Sequence, residues 1–504
     1  MHRPSPIETR LAAELAEARP DLVDRYQAEL PGARAAVLTR LWRALAHEPL
    51  PWVARRVRGA HSLALWLADG RALHGPRADP YATDAYVTAV RLDGEAYDDP
   101  ARLMTDLGWP HSAGFAAELA NSAASLALSR ADREFSAEDP EEWPDRDWEW
   151  EQRVVDGHPF HPNCRSRPGF SAAEQLAYGP EHRPVVRLET VPVAAGDCLL
   201  TGDWPDGLRD GEQLLIPVHP WQRAHVLKGG SAEPWRDAHP LMSLRTLALP
   251  GGPHVKTAIS ARLTSSVRDI STYSIGAAMT LSAFATDLAS RTDGLLHVTR
   301  TLGAVTADSP DLAALLRESP EVYAAAGERV LPVAALATTG LPGSPSWLAE
   351  FTRLALTAGL RLLDLGVALE AHGQNLLVVL SETGAPLRLV YRDLADIRLS
   401  PARLRRHGIT PPDLTGRLVT DDEATLRRKL FGSLVAGALA GTAGSGPALA
   451  TALETAVRHL PATPDLAALL EGPLPAKALT LMRLSPEVPG DQWAALPNPL
   501  ADTR

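Results

Sequence analysis

The sequence predicts an α+β fold, and three observations carry that reading. The first 135 residues are rich in Ala and Leu at helical spacing, the middle of the chain is a series of short β-type runs cut by Pro, Gly and Asp, and helical patterns return afterwards around one clear hairpin. No internal repeat is evident. At 504 residues the chain exceeds what one hydrophobic core usually serves, so two or three packed regions are expected.

Taken in order, helices are expected over ETRLAAELAEA, ARAAVLTRLWRALAHE and AGFAAELANSAASLALSRADREF. Between them HSLALWLADGRALH and AYVTAVRLDGEAYD each set a DG pair between apolar runs, a hairpin signal that adds a small sheet. Ser136 to Gln152 is acidic and broken by Pro140 and Pro144, which reads as a connector. Its Trp143, Trp148 and Trp150 could stack on a base, although packing against a neighbouring region is the commoner fate of such residues. Residues 153 to about 310 hold PVVRLETVPV, QLLIPVHP and HVKTAISARLTSSV, which form the main antiparallel sheet in this reading. Helical stretches follow around DLAALLRE and SPSWLAEFTRLALTAGLRLLDLGVALEAHG, then the hairpin, then a helical end. The expected regions are 1–140, mostly helical; 141–310, with the main sheet; and 311–504, mostly helical with the hairpin.

Hydrophobic residues are 45% and charged residues 22%, ordinary for a soluble globular protein, and no apolar run reaches the roughly eighteen residues that cross a bilayer. The opening MHRPSPIETRLAAELAEARP lacks the pattern of a secretory signal, so a cytoplasmic location without membrane contact is expected. Cys164 and Cys198 are too few for a disulfide framework or a thiolate zinc site. A net charge of −11 argues against a nucleic-acid partner, which is held by a basic surface. Lys228, Lys256, Lys429 and Lys477 are the only lysines, a scarcity that reads as coding bias.

Three polar constellations stand out. His254 to Thr264 alternates with period two, placing Val255, Thr257, Ile259, Ala261 and Leu263 on one strand face. Lys256, Ser260, Arg262 and Thr264 fall on the other at roughly 7 Å intervals, with Arg268 just beyond. Two cations and two hydroxyls suit a polyphosphate, while a solvated sheet face is the competing explanation.

The second constellation, Glu370-Ala-His372-Gly-Gln374-Asn375, runs into the apolar strand LLVVL; SETGAP turns, and LRLVY returns to end at Arg392 and Asp393. The hairpin brings His372, Asn375 and Asp393 together, and an Asn with an Asp offers oxygen ligands to Mg²⁺ beside phosphates. Capping and loop-filling are the ordinary uses of His and Asn, but catalytic residues concentrate at such element ends. The third constellation, Gly157-His158-Pro-Phe-His161-Pro-Asn-Cys-Arg165-Ser-Arg167-Pro-Gly169-Phe, is stiffened by proline. Its two His do not share a helix face and lack a third ligand nearby, so anion binding through His, Arg165 and Arg167 fits better than zinc.

These blocks, in this order, resemble the IucA/IucC family of NRPS-independent siderophore synthetases, whose pattern includes GHPxHPxxKxRxGF, an SxRLTSxxR strand and an ExHxQN block followed by RD. Glu118-Leu-Ala-Asn-Ser, Ile216-Pro-Val-His-Pro-Trp-Gln222, Lys477 to Leu484 and Asn498-Pro-Leu500 extend the resemblance over about 118 to 500. It implies a cupped-hand architecture with a helical thumb, antiparallel-sheet fingers and a mostly helical palm around one active site. It also implies a ligase that adenylates a carboxylic acid with ATP and joins the acid to an amine or alcohol.

By motif position, the resemblance implies that His158, His161, Arg165, Lys256, Ser260, Arg262 and Thr264 contact ATP, and that Asn375 and Asp393 serve Mg²⁺ and nucleotide. Arg268, His372 and Gln374 would face the acid, and Glu370 would support the loop or accept a proton from the amine. His372, Arg262 and Glu370 are the implied catalytic groups. Arg165 stands where the family has Lys, which keeps charge but not geometry. The stretch DISTYSIGAAMTLSAF matches the family's acid-binding region only loosely. Homodimers are common among relatives. A kinase-like phosphotransferase on a small molecule is the alternative, since His, Asn and a hairpin ending in Asp also describe how kinases hold Mg²⁺, but a glycine-rich loop is missing. A non-catalytic carboxylate binder is a third reading.

Overall fold

Ser5 starts the first helix, Pro6–Ala18, with a capping box: its hydroxyl accepts from Glu8 N while the Glu8 carboxylate accepts from Ser5 N. Glu8 also takes a two-pronged bond from buried Arg34 at 2.8 and 2.6 Å, which ties this helix to the longer Val23–His47. The computed structural model describes residues 5–133, 143–229, 231–264 and 266–501. Helix Ser112–Ala131 packs on Val23–His47 through a core that includes Val37, Leu41, Trp42, Leu119 and Leu126. Both DG hairpins form: Ser62–Leu67 pairs with Ala72–Pro76, and Val90–Leu92 with Glu95–Tyr97, in a five-stranded sheet begun by Val53–Arg58.

Most of the acidic connector, 134–142, lies outside the described residues. Its end is a short helix, Asp147–Gln152. The three tryptophans are packing groups: Trp143 meets Trp150 edge-on at 5.7 Å, and Trp148 stacks on His239 at 4.8 Å.

The main sheet is antiparallel throughout, with nine strands among the described residues. Its order is Leu199–Gly202, Thr301–Thr306, Ala313–Arg317, His254–Thr257, Thr246–Ala248, Glu233–Pro240, Val186–Ala194, Gln213–Val218 and Arg209–Asp210. Two expectations change here. DLAALLRE is a strand, Ala313–Arg317, not a helix, because it pairs on both sides; a short fully apolar run carries no period of its own. The 254–264 segment is two strands: His254–Thr257 stays in the sheet, and Ile259–Leu263 leaves it to pair with Ser266–Arg268.

Helix Pro345–Leu365 ends on Gly366, which takes φ 109° and where a Cβ would lie 2.9 Å from Arg403 Cβ and 3.0 Å from Ser400 O. The predicted hairpin follows, Leu376–Leu380 with Pro386–Tyr391, inside a four-stranded sheet. A C-terminal segment then spans two cores. Leu474, Ala476, Leu496 and Leu500 join the core of the hairpin region, whereas Ala478, Leu481, Leu484 and Ala494 join that of the N-terminal helices. At about 1.5–3 kcal/mol per buried Leu, this strap contributes substantially to holding the two together. No helix among the described residues is long and apolar enough to cross a membrane.

Candidate functional site

Asp393 is the centre of the candidate site. It sits just past the return strand of the hairpin at φ 71°, a conformation few residues other than Gly, Asn or Asp adopt, and Arg392 N bonds Asn375 O at 3.0 Å across the base of that hairpin. Lys256 Nζ meets Asp393 Oδ2 at 2.7 Å, which joins the main sheet to the hairpin. Burial works against the Asp393 charge, yet Lys256, Arg317 and Arg245 outweigh it and hold the carboxyl far below its usual range. Burial in turn pushes Lys256 down to about 8, and Arg245 and Arg317 to about 10.

The cations around Asp393 outnumber it. Arg268 is depressed by burial and supported by Asp393 and Glu370. Arg245 Nε and Arg317 Nε are buried without a hydrogen-bond partner among the described residues. A buried guanidinium nitrogen left unbonded is costly, so this environment is built for an anion.

The loop before the hairpin is fixed from both sides. Lys429 Nζ bonds Glu370 Oε1 at 2.9 Å and Asp396 Oδ2 at 2.5 Å, thus bridging the residues that precede and follow the hairpin. Lys477 adds a second ammonium to Glu370 at 3.0 Å. Glu370 is therefore a clamp shared by two lysines, a poor setting for the proton acceptor considered from sequence. Ser433, in the π-helical turn Phe431–Leu439, accepts Ala371 N at 2.9 Å. His372 Nδ1 accepts Gln374 N at 3.3 Å, and burial lowers the pKa of its ring, offset in part by Glu370. Asn375 is buried, its amide within 3.5 Å of Glu370 O, and Gln374 O accepts two bonds from Arg392.

The phosphate strand behaves differently from the expectation of one aligned row. Val255, Thr257, Ile259, Ala261 and Leu263 are buried as expected, but the split in the strand separates Lys256 from the others. Ser260 Oγ accepts from Gln222 at 2.9 Å and donates to Asp311. Arg262 is exposed, with no hydrogen bond or ion pair to a described residue, and Thr264 has φ 58°. Lys256, Arg268, His372, Asn375 and Asp393 thus converge, while Ser260 and Arg262 lie along a separate hairpin.

In the rigid loop, Arg165 turns inward. Its guanidinium donates to Val155 O at 2.7 Å and to Val154 O, and lies 3.4 Å from Glu181. Arg167 pairs with the same buried Glu181 at 2.8 Å. Both arginines are consumed by the fold, which corrects their assignment to a ligand anion. Gly157 makes the tight loop possible: at φ 67°, a Cβ there would lie 2.4 Å from Cys164 O. His158 and His161 remain available, their rings 6.0 Å apart. Desolvation lowers both, His158 further through His161 and His372, and His161 to about 3.

Sequence reasoning gave no role to Arg245, Arg317, Lys429 or Lys477. The usable signal was lysine scarcity: three of the four lysines, Lys256, Lys429 and Lys477, stand at this site. No group of three His, Cys, Asp or Glu among the described residues would hold a metal unaided. One ionised carboxylate and one amide oxygen do fit a Mg²⁺ that arrives with phosphate oxygens and water.

Residues 147–338 match the IucA / IucC family, and residues 345–491 match the family described as ferric iron reductase FhuF-like transporter. A citryl-spermidine/3,4-dihydroxybenzoyl-citryl-spermidine:spermidine ligase of Bacillus anthracis is 25% identical over 311 residues, 49% of this chain and 50% of the relative. D-ornithine--citrate ligase of Staphylococcus aureus is 22% identical over 366 residues, 56% of this chain and 55% of the relative. The chain spans about half the length of the curated relatives it matches. Its fold matches petrobactin biosynthesis protein AsbB of B. anthracis at TM-score 0.77 and 18% identity, covering 100% of this chain and 99% of that one. ATP-bound aerobactin synthetase IucA of Klebsiella pneumoniae gives 0.72 at 20% identity, covering 93% and 99%.

Proposed function

We propose, with the chain as a member of the IucA/IucC family, that it is an ATP-dependent ligase which adenylates a polycarboxylic acid and condenses it with an amine or hydroxyl in siderophore assembly. The observation that carries this reading is the cationic ring of Lys256, Arg245, Arg317 and Arg268 around Asp393, on the hairpin that also bears His372 and Asn375. Relatives named for joining citrate or citryl compounds to spermidine or D-ornithine support the choice of acid and nucleophile.

In the first half-reaction a substrate carboxylate oxygen attacks the α-phosphorus of ATP, the bond to the bridging oxygen breaks, and pyrophosphate leaves. In the second, an amine nitrogen or hydroxyl oxygen attacks the acyl carbon, loses its proton, and AMP leaves. Lys256, Arg245 and Arg317 offset charge on the phosphates from fixed positions, which lowers the barrier without reorganisation at the moment of reaction. Asn375 and Asp393 would hold Mg²⁺ against the same phosphates, where it would supply further charge neutralisation. Arg268, His372 and Gln374 face the acid; Arg262 and Thr264, on the neighbouring hairpin, extend the nucleotide contacts. Glu370, held between Lys429 and Lys477, keeps the His372 loop in place. The hand-like division into thumb 1–140, fingers 141–310 and palm 311–504, and a cytoplasmic location, belong to the same proposal.

The deciding experiment follows nucleotide products with Mg²⁺ATP and a panel of carboxylates crossed with amines. AMP and pyrophosphate formed only with a di- or tricarboxylate support the ligase. ADP as the sole nucleotide product would instead identify a kinase-like phosphotransferase.

A further inference from the structure

We propose that Arg483, Glu118 and Asn163 form a positioning relay that fixes His161 as its Nε2–H tautomer, so that His161 gives one neutral hydrogen bond to an anionic oxygen of the reacting ligand. This deepens the ligase reading and rests on it for the identity of the ligand.

Asn163 N–H donates to His161 Nδ1 at 3.0 Å. A ring nitrogen that accepts carries no proton, so in the neutral ring the proton sits on Nε2. His161 is 2% exposed, and its Nε2 has no hydrogen-bond partner among the described residues. A buried N–H left unbonded costs roughly 1–3 kcal/mol, which a fold tolerates where a ligand completes the bond. Burial also keeps the ring neutral, down to about pH 3, with Arg483, Arg268 and Arg40 adding repulsion. Arg268 opposes protonation of His161 and is itself supported by Asp393, so one guanidinium is felt by both groups.

Asn163 is held in its turn. Its side-chain Nδ2 donates to Glu118 Oε2 at 2.6 Å, and Arg483 forks onto both oxygens of the same carboxylate, with Nε at 2.9 Å. Arg483 lies in helix Leu479–Leu484 of the C-terminal strap, which Glu48 seats by accepting Thr480 N and Leu481 N at 3.2 and 2.7 Å. His158, His219 and His372 also accept an N–H two residues on, from Phe160 and Trp221 at 3.1 Å each and from Gln374 at 3.3 Å. At His161 the donating residue's side chain goes on to hydrogen-bond a carboxylate on another element, Glu118, whereas Phe160 packs its ring under Arg43. The relay therefore connects the strap, the helix Ser112–Ala131 and the rigid loop, and it accounts for Glu118 and Arg483, which lie in sequence blocks without another role.

The test uses the full chain labelled with ¹⁵N in its histidines. Long-range ¹H–¹⁵N correlation at pH 7, with His161 assigned through His161→Gln, should show an unprotonated, hydrogen-bonded Nδ1 and a protonated Nε2 that persists to about pH 4. An Nδ1–H tautomer or an imidazolium at pH 7 overturns the proposal. Glu118→Ala should mix the tautomers and lower kcat for pyrophosphate release about 100-fold, with KM for ATP little changed, as expected when a reacting contact loses its orientation. Arg483→Lys, which keeps one charged donor to Glu118, should lose less than Arg483→Ala. Should Glu118→Ala fail to fold, Glu118→Gln provides the same readouts. An unchanged Nε2–H signature together with unchanged kcat in the folded variant also overturns it. If no acid elicits pyrophosphate release, the ligase reading falls while the tautomer measurement still decides the relay.

Discussion

The hairpin site and the rigid loop both collect arginines and histidines, yet they use them in opposite ways. In the loop, Arg165 and Arg167 close on Glu181 and on backbone carbonyls, so their charge is spent inside the fold. Around Asp393, Arg245 and Arg317 keep nitrogens that nothing in the described chain satisfies. Density of charge along a sequence thus says little about function; what matters is whether the charges answer one another.

The largest effect expected from that contrast falls on the hairpin. Asp393→Asn should lower pyrophosphate release about 10³-fold with an unchanged circular dichroism spectrum, the scale of losing one pre-organised electrostatic group. Lys256→Met should cost about 10²-fold, again without loss of fold, and near-normal rates in either variant would remove the hairpin from the site. The loop should respond in the reverse order. Arg165→Ala leaves Glu181 less compensated and should lower stability by about 3–5 kcal/mol in chemical denaturation, with little change in rate for the fraction that stays folded. Arg262→Ala, at an exposed position without a partner among the described residues, should raise KM for ATP several-fold and leave the melting temperature alone.

The smallest effect concerns the strap. Burial pushes the Glu48 carboxyl up to about 7 despite its bonds to Leu481 N and Thr480 N. A raised carboxyl binds its proton more tightly in the folded state, so its contribution is fully present below about pH 4.5 and is lost as pH rises through about 7. Glu48→Gln should flatten that slope, a difference of about 3 kcal/mol between pH 4.5 and 8, measured by thermal melts. An unchanged slope would show that the strap is seated without Glu48.

Much of the fold could be read from periodicity. The helices Pro6–Ala18, Val23–His47 and Ser112–Ala131, both DG hairpins and the Asn375-to-Asp393 hairpin lie where spacing and turn residues put them. Ala313–Arg317 was misread as helical because a short apolar run fits either period, and its strand pairing is with residues far away in sequence. The break between Thr257 and Ile259 was invisible for a similar reason: alternation continues across it, and only the change of partner marks the end of one strand. At the candidate site, the hairpin that brings His372, Asn375 and Asp393 together followed from a local signal. Arg245, Arg317, Lys429 and Lys477 come from four separate elements and meet only on folding. The scarcity of lysine was the clue, and compositional bias was a sufficient explanation until three lysines met at one site.

The central claim is most directly tested by nucleotide product analysis of the full chain with Mg²⁺ATP, alone and with citrate or another polycarboxylate plus a diamine. The ligase account predicts AMP and pyrophosphate in equal amounts, dependent on the acid and abolished in Asp393→Asn. Release of ADP, or ATP turnover independent of any acid, would contradict it.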